Sequence, residues 1–322
     1  MVASGCRATC LRDPDAGLLD WVLLAVLVSL WGTSFLLTDL AVRHVAPAHV
    51  VTLRLVLAAV LLSVLALAMR RRWSLRPQVL LWAALLSACG NVLPFFLISW
   101  GQQFIDSGLA GVLMGIMPLA TLLLAHFFVP GERLRRHRLI GFVFGFIGIV
   151  LLVGPDALLG LGAGGQALLG QLAVLAGALS YAVNAVLARR RPVADLWTLS
   201  CLVLFAGSLM SLPLSSLQPL PIAVPASAWI AVSLLGVLST GVATLVYFTL
   251  VTRAGPTFLS TINYLIPPWA LLLGAVFLDE RPGPGQIAAM LCILGGIALA
   301  RPRPGRPPSR AGAGSAPAPD RD

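Results

Sequence analysis

The chain has 322 residues, of which 58% are hydrophobic and only 11% charged, with a mean hydropathy of +0.94. Soluble domains carry about 25% charged residues, so this chain cannot cover itself with a solvated surface and takes the lipid bilayer as its solvent. The net charge of +10 would suggest nucleic acid in a soluble protein, but here the basic residues, all arginine, sit in short clusters between apolar runs, as in membrane loops; nucleic acid is excluded as a partner.

Residues 1–17 read as a cytoplasmic tail. Cys6 and Cys10 lie there without further Cys or His partners for a metal, and Cys89, Cys201 and Cys292 lie in apolar runs as small hydrophobes. The tail has no separate apolar core and no cleavage site, so the first apolar run is expected to be an uncleaved span.

A helix needs about 20 apolar residues to cross about 30 Å of hydrocarbon. Ten such runs follow, at 18–39, 47–69, 78–100, 106–128, 138–155, 167–188, 196–215, 226–251, 256–278 and 284–301. None shows the short alternating segments of an outer-membrane barrel, and helices satisfy their own backbone groups in lipid. The expected fold is an all-α membrane protein of ten transmembrane helices. With the N-terminus inside, nineteen arginines fall on the cytoplasmic side and only Arg43 and Arg281 on the other, which places both termini in the cytoplasm of a multi-pass inner (plasma) membrane protein.

Polar residues within the spans are few. Span one carries Trp31 and Ser34 on one face. Span two carries Arg54, the sole clear charge inside a span, about 12 Å from the helix start at 1.5 Å per residue. Arg54 is either a substrate or gating counter-charge or a structural arginine that snorkels to the outer interface. Span three carries Asn91, with Trp100 at its outer end. Tyr181 and Asn184 share a face of span six; Thr240, Thr244 and Tyr247 form an i, i+4, i+7 stripe on span eight; Ser260 and Asn263 share a face of span nine. These residues either line a substrate cavity or hydrogen-bond neighbouring helices at about 1 kcal/mol or less per contact. Pro118 and Pro267, in mid-span, act as hinges or as fixed kinks. Glu132 and Glu280, each followed by arginine, end spans four and nine as gating or loop-anchoring groups. Gly111, Gly115, Gly141, Gly145, Gly148, Gly295 and Gly296 have the spacing of close helix contacts.

The chain repeats itself. Glu132-Arg133 and Glu280-Arg281 are 148 residues apart, as are Leu24–Leu27 and Leu172–Leu175, and Gly148-Ile149 and Gly296-Ile297. Two copies of five spans each, 18–155 and 167–301, enter the membrane in opposite senses because five is odd. A Gly-rich external linker, 156–166, joins them, and a basic tail, 302–322, is expected to be disordered.

Trp31-Gly32-Thr33-Ser34-Phe35 in span one resembles the opening motif of the EamA-like branch of the drug/metabolite transporter superfamily. Pro118 followed by Gly131-Glu132-Arg133-Leu134, and Tyr264-Leu265-Ile266-Pro267 followed by Leu278-Asp279-Glu280-Arg281, are similar to later motifs of that family. The resemblance spans about 20–301. It implies a bundle of two inverted repeats that exports or takes up small metabolites.

Enzyme chemistry is not expected: no two carboxylates share a span interior, the four histidines lie near span ends, and no metal or cofactor set is present. A proton-coupled exporter of organic cations would need a buried carboxylate, whereas Asp20 and Asp39 flank span one. A carrier of phosphorylated or nucleotide sugars would need several buried cations, and only Arg54 qualifies. The substrate expected is a small neutral or zwitterionic metabolite such as an amino acid; a sugar-derivative or drug transporter, and a non-transporting receptor or structural subunit, are the alternatives. A coupling proton, the membrane potential and facilitated diffusion stay open as energy sources, as do direction and oligomeric state.

Overall fold

The computed structural model describes residues 17–70, 75–129, 136–153, 165–190, 195–219 and 223–300. Among the described residues every regular element is helical and there is no strand. The chain begins with α1 (Leu18–Val42) and α2 (Pro47–Ala68). The next run comprises α3 (Pro77–Ser87), a π-helical turn over Ala88–Val92, and α4 (Leu93–Gly101). Then come α5 (Ser107–Met114), α6 (Met117–Phe128), α7 (Arg136–Val153), α8 (Gly165–Arg190) and α9 (Leu196–Ser216). A second composite run contains α10 (Ala226–Leu234), a π-helical segment over Leu235–Val242, and α11 (Ala243–Leu259). The described chain closes with α12 (Ile262–Phe277) and α13 (Pro284–Ala300).

Seven of these runs are long and apolar enough to cross a membrane: Leu18–Val42, Pro47–Ala68, Pro77–Gly101, Ser107–Phe128, Gly165–Arg190, Trp197–Ser216 and Ala226–Gly255. Ile262–Phe277 and Pro284–Ala300 are shorter apolar helices. Pro47, Pro77 and Pro284 each open a helix, where the missing N–H has no partner to lose. Helix α2 shows how such a helix divides its surface. Leu55, Ala58, Ala59, Leu62 and Ala66 are buried, while Val60, Val64 and Leu67 are exposed on the face left to lipid. The buried face is rich in alanine because close packing, not hydrophobicity, holds helices together in lipid.

Helix α13 packs along α7, α9 along α2, α4 along α8, and α12 against both α1 and α5. Glycine sets the closest approach. A Cβ at Gly141 would meet the backbone oxygen of Gly296, and one at Gly148 would lie 2.9 Å from the backbone oxygen of Ala289. Gly295, by contrast, faces open space and does not belong to the contact.

Three expectations change. Span four is not continuous: a turn at Gly115-Ile116 separates α5 from α6, and Pro118 sits in the first turn of α6 rather than in mid-helix. Span nine does not run unbroken from 256: Gly255 has φ 79°, Ser260-Thr261 form a turn, and the helix proper begins at Ile262. A left-handed φ is open to glycine without steric cost, which is why the chain breaks there. Pro267 and Pro268 do lie inside α12. Finally, Asp20 and Asp39 are not solvated flanks: α1 runs on to Val42, which sets Asp39 back from the helix end, and both residues are only 6% exposed. Glu132 and its corner lie outside the described residues, as do most of the linker and both tails.

Candidate functional site

Arg54 does not snorkel. It is 8% exposed, and its Nε donates to Thr240 Oγ1 at 2.7 Å. Its guanidinium carbon lies 3.8 Å from the centre of the Phe95 ring. Placing arginine in mid-membrane costs about 2.5–3.5 kcal/mol on insertion scales. A desolvated cation–π contact of about 2 kcal/mol and one charged hydrogen bond of about 1.5–3 kcal/mol offset that cost. The two Nη groups have no hydrogen-bond partner among the described residues.

The π-helical segment shapes this contact. Thr240 Oγ1 donates to the Leu235 carbonyl, five residues back, at 2.9 Å. With its proton spent there, the hydroxyl turns a lone pair toward Arg54. A π turn holds an extra residue, and this re-aims the side chains that follow. One turn on, Thr244 Oγ1 donates to the Thr240 carbonyl at 2.6 Å. Next along the helix, Tyr247 packs on Trp31 with ring centroids 5.8 Å apart. The predicted stripe therefore leads from Arg54 of α2 to Trp31 of α1. Ser34 turns back on its own helix, donating to the Trp31 carbonyl at 2.5 Å. Gly32 makes room for Trp269, which a Cβ would strike.

Tyr181 and Asn184 belong to α8, which packs along α4. Tyr181 lies edge-on to Phe95 at 6.4 Å. Asn184 sits over Gly90, where a Cβ would come within 2.6 Å of its Nδ2, and its buried Oδ1 has no hydrogen-bond partner among the described residues. Ser180 donates to the Cys89 carbonyl at 2.8 Å, one of the backbone oxygens of the first π turn. Asn91, half-buried, belongs to the same turn. Arg54 and Tyr181 thus share the Phe95 ring and Thr240 joins Arg54, while Asn91 and Asn184 belong to the first π turn and its α8 neighbour, and Thr244 follows the second π segment.

The remaining candidates lie elsewhere. Ser260 is in the turn before α12, and Asn263 Nδ2 donates to its carbonyl at 3.2 Å. Both line a cavity of about 130 Å³ that also includes Pro118, Leu119 and Tyr264. At the end of the bundle that holds Arg43, Glu280 accepts from the Ser107 N–H, the Ser107 hydroxyl and the Gly108 N–H at 2.7, 2.6 and 2.9 Å. It anchors the N-terminus of α5, where the helix dipole favours a carboxylate. At the other end, Asp20 accepts from Arg253 Nε at 2.9 Å and from the Gly17 N–H at 3.1 Å.

Sequence reasoning did not single out Phe95, Gln102, Asp106 or Ser107. Phe95 stands among many apolar neighbours, and nothing in its spacing marks it as the ring beneath an arginine. Ser107 carries a weak signal, because Asp106-Ser107-Gly108 is a helix-start sequence.

Among solved structures, one crystal structure aligns with 90% of this chain and 98% of its own at a TM-score of 0.59 and 24% identity, a likeness of fold. The transporter YoaV of Bacillus subtilis (strain 168) is 28% identical over 274 residues, 83% of this chain and 91% of that protein. A probable terminal-alkyne amino-acid exporter of Streptantibioticus cattleyicolor is 27% identical over 289 residues, 87% of this chain and 92% of its own. The aromatic amino acid exporter YddG of Ancylobacter novellus is 31% identical over 193 residues, 59% and 66% of the two chains. The profile of the EamA-like transporter family matches residues 19–154 and again 168–301. With multiple apolar helices and two matches that cover most of its length, the chain belongs to the EamA-like transporter family and is a membrane transporter, not an enzyme.

Proposed function

We propose that the protein exports a small neutral or zwitterionic metabolite, with amino acids as the leading class, by alternating access between two inverted five-helix repeats. The observation that carries this reading is Arg54: a buried guanidinium, fixed by Thr240 from the second repeat and by Phe95 from the first, with both Nη groups unshared. A carboxylate is the group that such a fork receives by two parallel hydrogen bonds. Hydroxyls, amides and rings at Thr244, Tyr247, Trp31, Tyr181, Asn91 and Asn184 supply neutral recognition around it. The amino-acid exporters among the relatives agree in substrate class.

Ten spans in two copies, 18–155 and 167–301, are the architecture of this reading. In its support, π-helical turns occur at Ala88–Val92 and at Leu235–Val242, corresponding places in the two copies. Packing is also reciprocal: α4 of the third span meets α8 of the sixth, and α11 of the eighth meets α1 of the first. The arginine distribution puts the Asp20–Arg253 end in the cytoplasm and the Glu280–Ser107 end outside. On that reading these two contacts close opposite ends of the pathway, and Pro118 and Pro267 flank the points at which spans four and nine flex.

The test is solute counterflow in proteoliposomes across a panel of amino acids, their decarboxylated amines and neutral amides. Arg54→Gln is expected to lower transport of carboxylate-bearing solutes at least tenfold and to spare the rest. Arg54→Lys is expected to resemble Gln, since an ammonium offers no fork and stacks poorly on Phe95. Equal transport by all three proteins across the panel would remove Arg54 from substrate recognition.

A further inference from the structure

At the end of the bundle that holds Arg43, a cavity of about 520 Å³ opens between the end of α1 and the connection from α4 to α5. That volume accommodates an amino-acid-sized molecule. Its polar lining consists of Asp39, Arg43, Gln102, Gln103 and Asp106. Glu280, immediately behind, is close enough to act electrostatically on both Asp39 and Asp106. Arg43 lies 2.6 Å from Asp39, so the charged lining is one cation against two carboxylates, with the Glu280 carboxylate acting on both.

A second observation points the same way. Gln102 is 3% exposed; its Nε2 donates to the Phe35 carbonyl at 2.9 Å, which fixes the amide, and its Oε1 is left with no hydrogen-bond partner among the described residues. Buried acceptors without partners are rare in folded proteins. Gln102 stands in the wall of a cavity whose charged lining is Asp39, Arg43 and Asp106, so a cationic N–H donor would supply both the missing bond and the balancing charge. A primary ammonium group supplies three N–H bonds and the charge together.

We propose that this cavity is a solute site separate from Arg54, which recognises the ammonium group of an amine-bearing solute through Asp39, Asp106 and the Oε1 of Gln102. Arg43, whose side chain is 54% exposed, is free to swing from Asp39 to a solute carboxylate. Its use as a station on the export route rests on the function proposed above; the recognition of an amine does not.

Gln103 lies on the cavity wall and is exposed, so Gln103→Cys, in the full chain with its five native cysteines replaced by serine, reports occupancy through its rate of modification by a charged methanethiosulfonate reagent, followed by intact mass. The probe is n-butylamine, compared with n-butanol, butyrate and sodium at equal concentration. We expect n-butylamine to slow modification at least fivefold and the other three to leave it unchanged. Adding Asp106→Asn, an exposed position where the shape is kept, should abolish protection; adding Arg54→Gln should not alter it. Protection that survives Asp106→Asn, or its absence in the parent, overturns the proposal. Protection by butanol would reveal an apolar pocket, and protection by sodium an unselective cation site; either result also overturns it. None of these outcomes touches the Arg54 counterflow test, so the two readings fail separately.

Discussion

Glu280 and Ser107 are 173 residues apart in sequence, yet the Glu280 carboxylate receives both the backbone N–H and the side-chain hydroxyl of Ser107. The contact ties the chain after α12 to the start of α5. Gly274 and Gly108 make it possible: a Cβ at Gly274 would strike the Glu280 carboxylate, and one at Gly108 would lie 2.9 Å from its Oε2. Glu280→Ala strips three donors of their acceptor, for an expected loss of about 1–3 kcal/mol. Thermal melts in detergent should place Ala several degrees below wild type, with Glu280→Gln between them because it keeps one carbonyl oxygen. Coincident melting of all three would mean that the contact adds nothing to stability.

Gly90 and Asn184 should be coupled. Gly90→Ala would press a methyl group to within 2.6–2.8 Å of the Asn184 amide, and overpacking of this kind costs about 1–3 kcal/mol. Asn184→Ala removes the obstacle, so the double variant should recover most of the loss, with a coupling energy of about 1 kcal/mol or more. Simple additivity in a double-mutant cycle would show that α8 moves aside instead.

Asp106 precedes α5 at an exposed position, and its carboxyl is held above its ordinary value by partial desolvation against the bundle and by the neighbouring Glu280 charge, with Arg43 acting in the opposite direction. A folded-state value above the unfolded one means that stability contributed by the protonated form is fully present at low pH and lost as pH rises through the folded value. Asp106→Asn should therefore raise the melting temperature at pH 7 and make no difference below the ordinary carboxylate range. A wild-type protein that melts higher than Asn at neutral pH would reverse the sign.

Gln218, just after α9, should face the outside if the arginine asymmetry sets orientation. In a cysteine-free background, Gln218→Cys should react with a membrane-impermeant maleimide in intact cells. Reaction only after permeabilisation would invert the assigned topology and, with it, the export side of the proposed pathway.

Class, environment and family were legible in the amino-acid sequence. Runs of about 20 apolar residues and a low charge content demand lipid and helices, because no other element closes its own hydrogen bonds there. Trp31–Phe35 and the two Glu-Arg corners marked the family, and membership of that family makes the chain a transporter rather than an enzyme. The 148-residue repeat is likewise a property of sequence alone. Only tertiary structure decided what the isolated polar residues do. Arg54 could snorkel or turn inward on spacing grounds, and the choice depends on Phe95 and Thr240, 41 and 186 residues away. The stripe of Thr240, Thr244 and Tyr247 follows helical spacing, but a π segment begins at Leu235, and partners of the stripe belong to two different helices. Asp20 and Asp39 looked like solvated flanking charges, and packing of the bundle buried both. Hydropathy and periodicity report burial in lipid and the pitch of a single helix. The rotation of one helix against another is set by glycine contacts, breaks and caps such as Glu280 on α5, which bring together residues far apart in the chain.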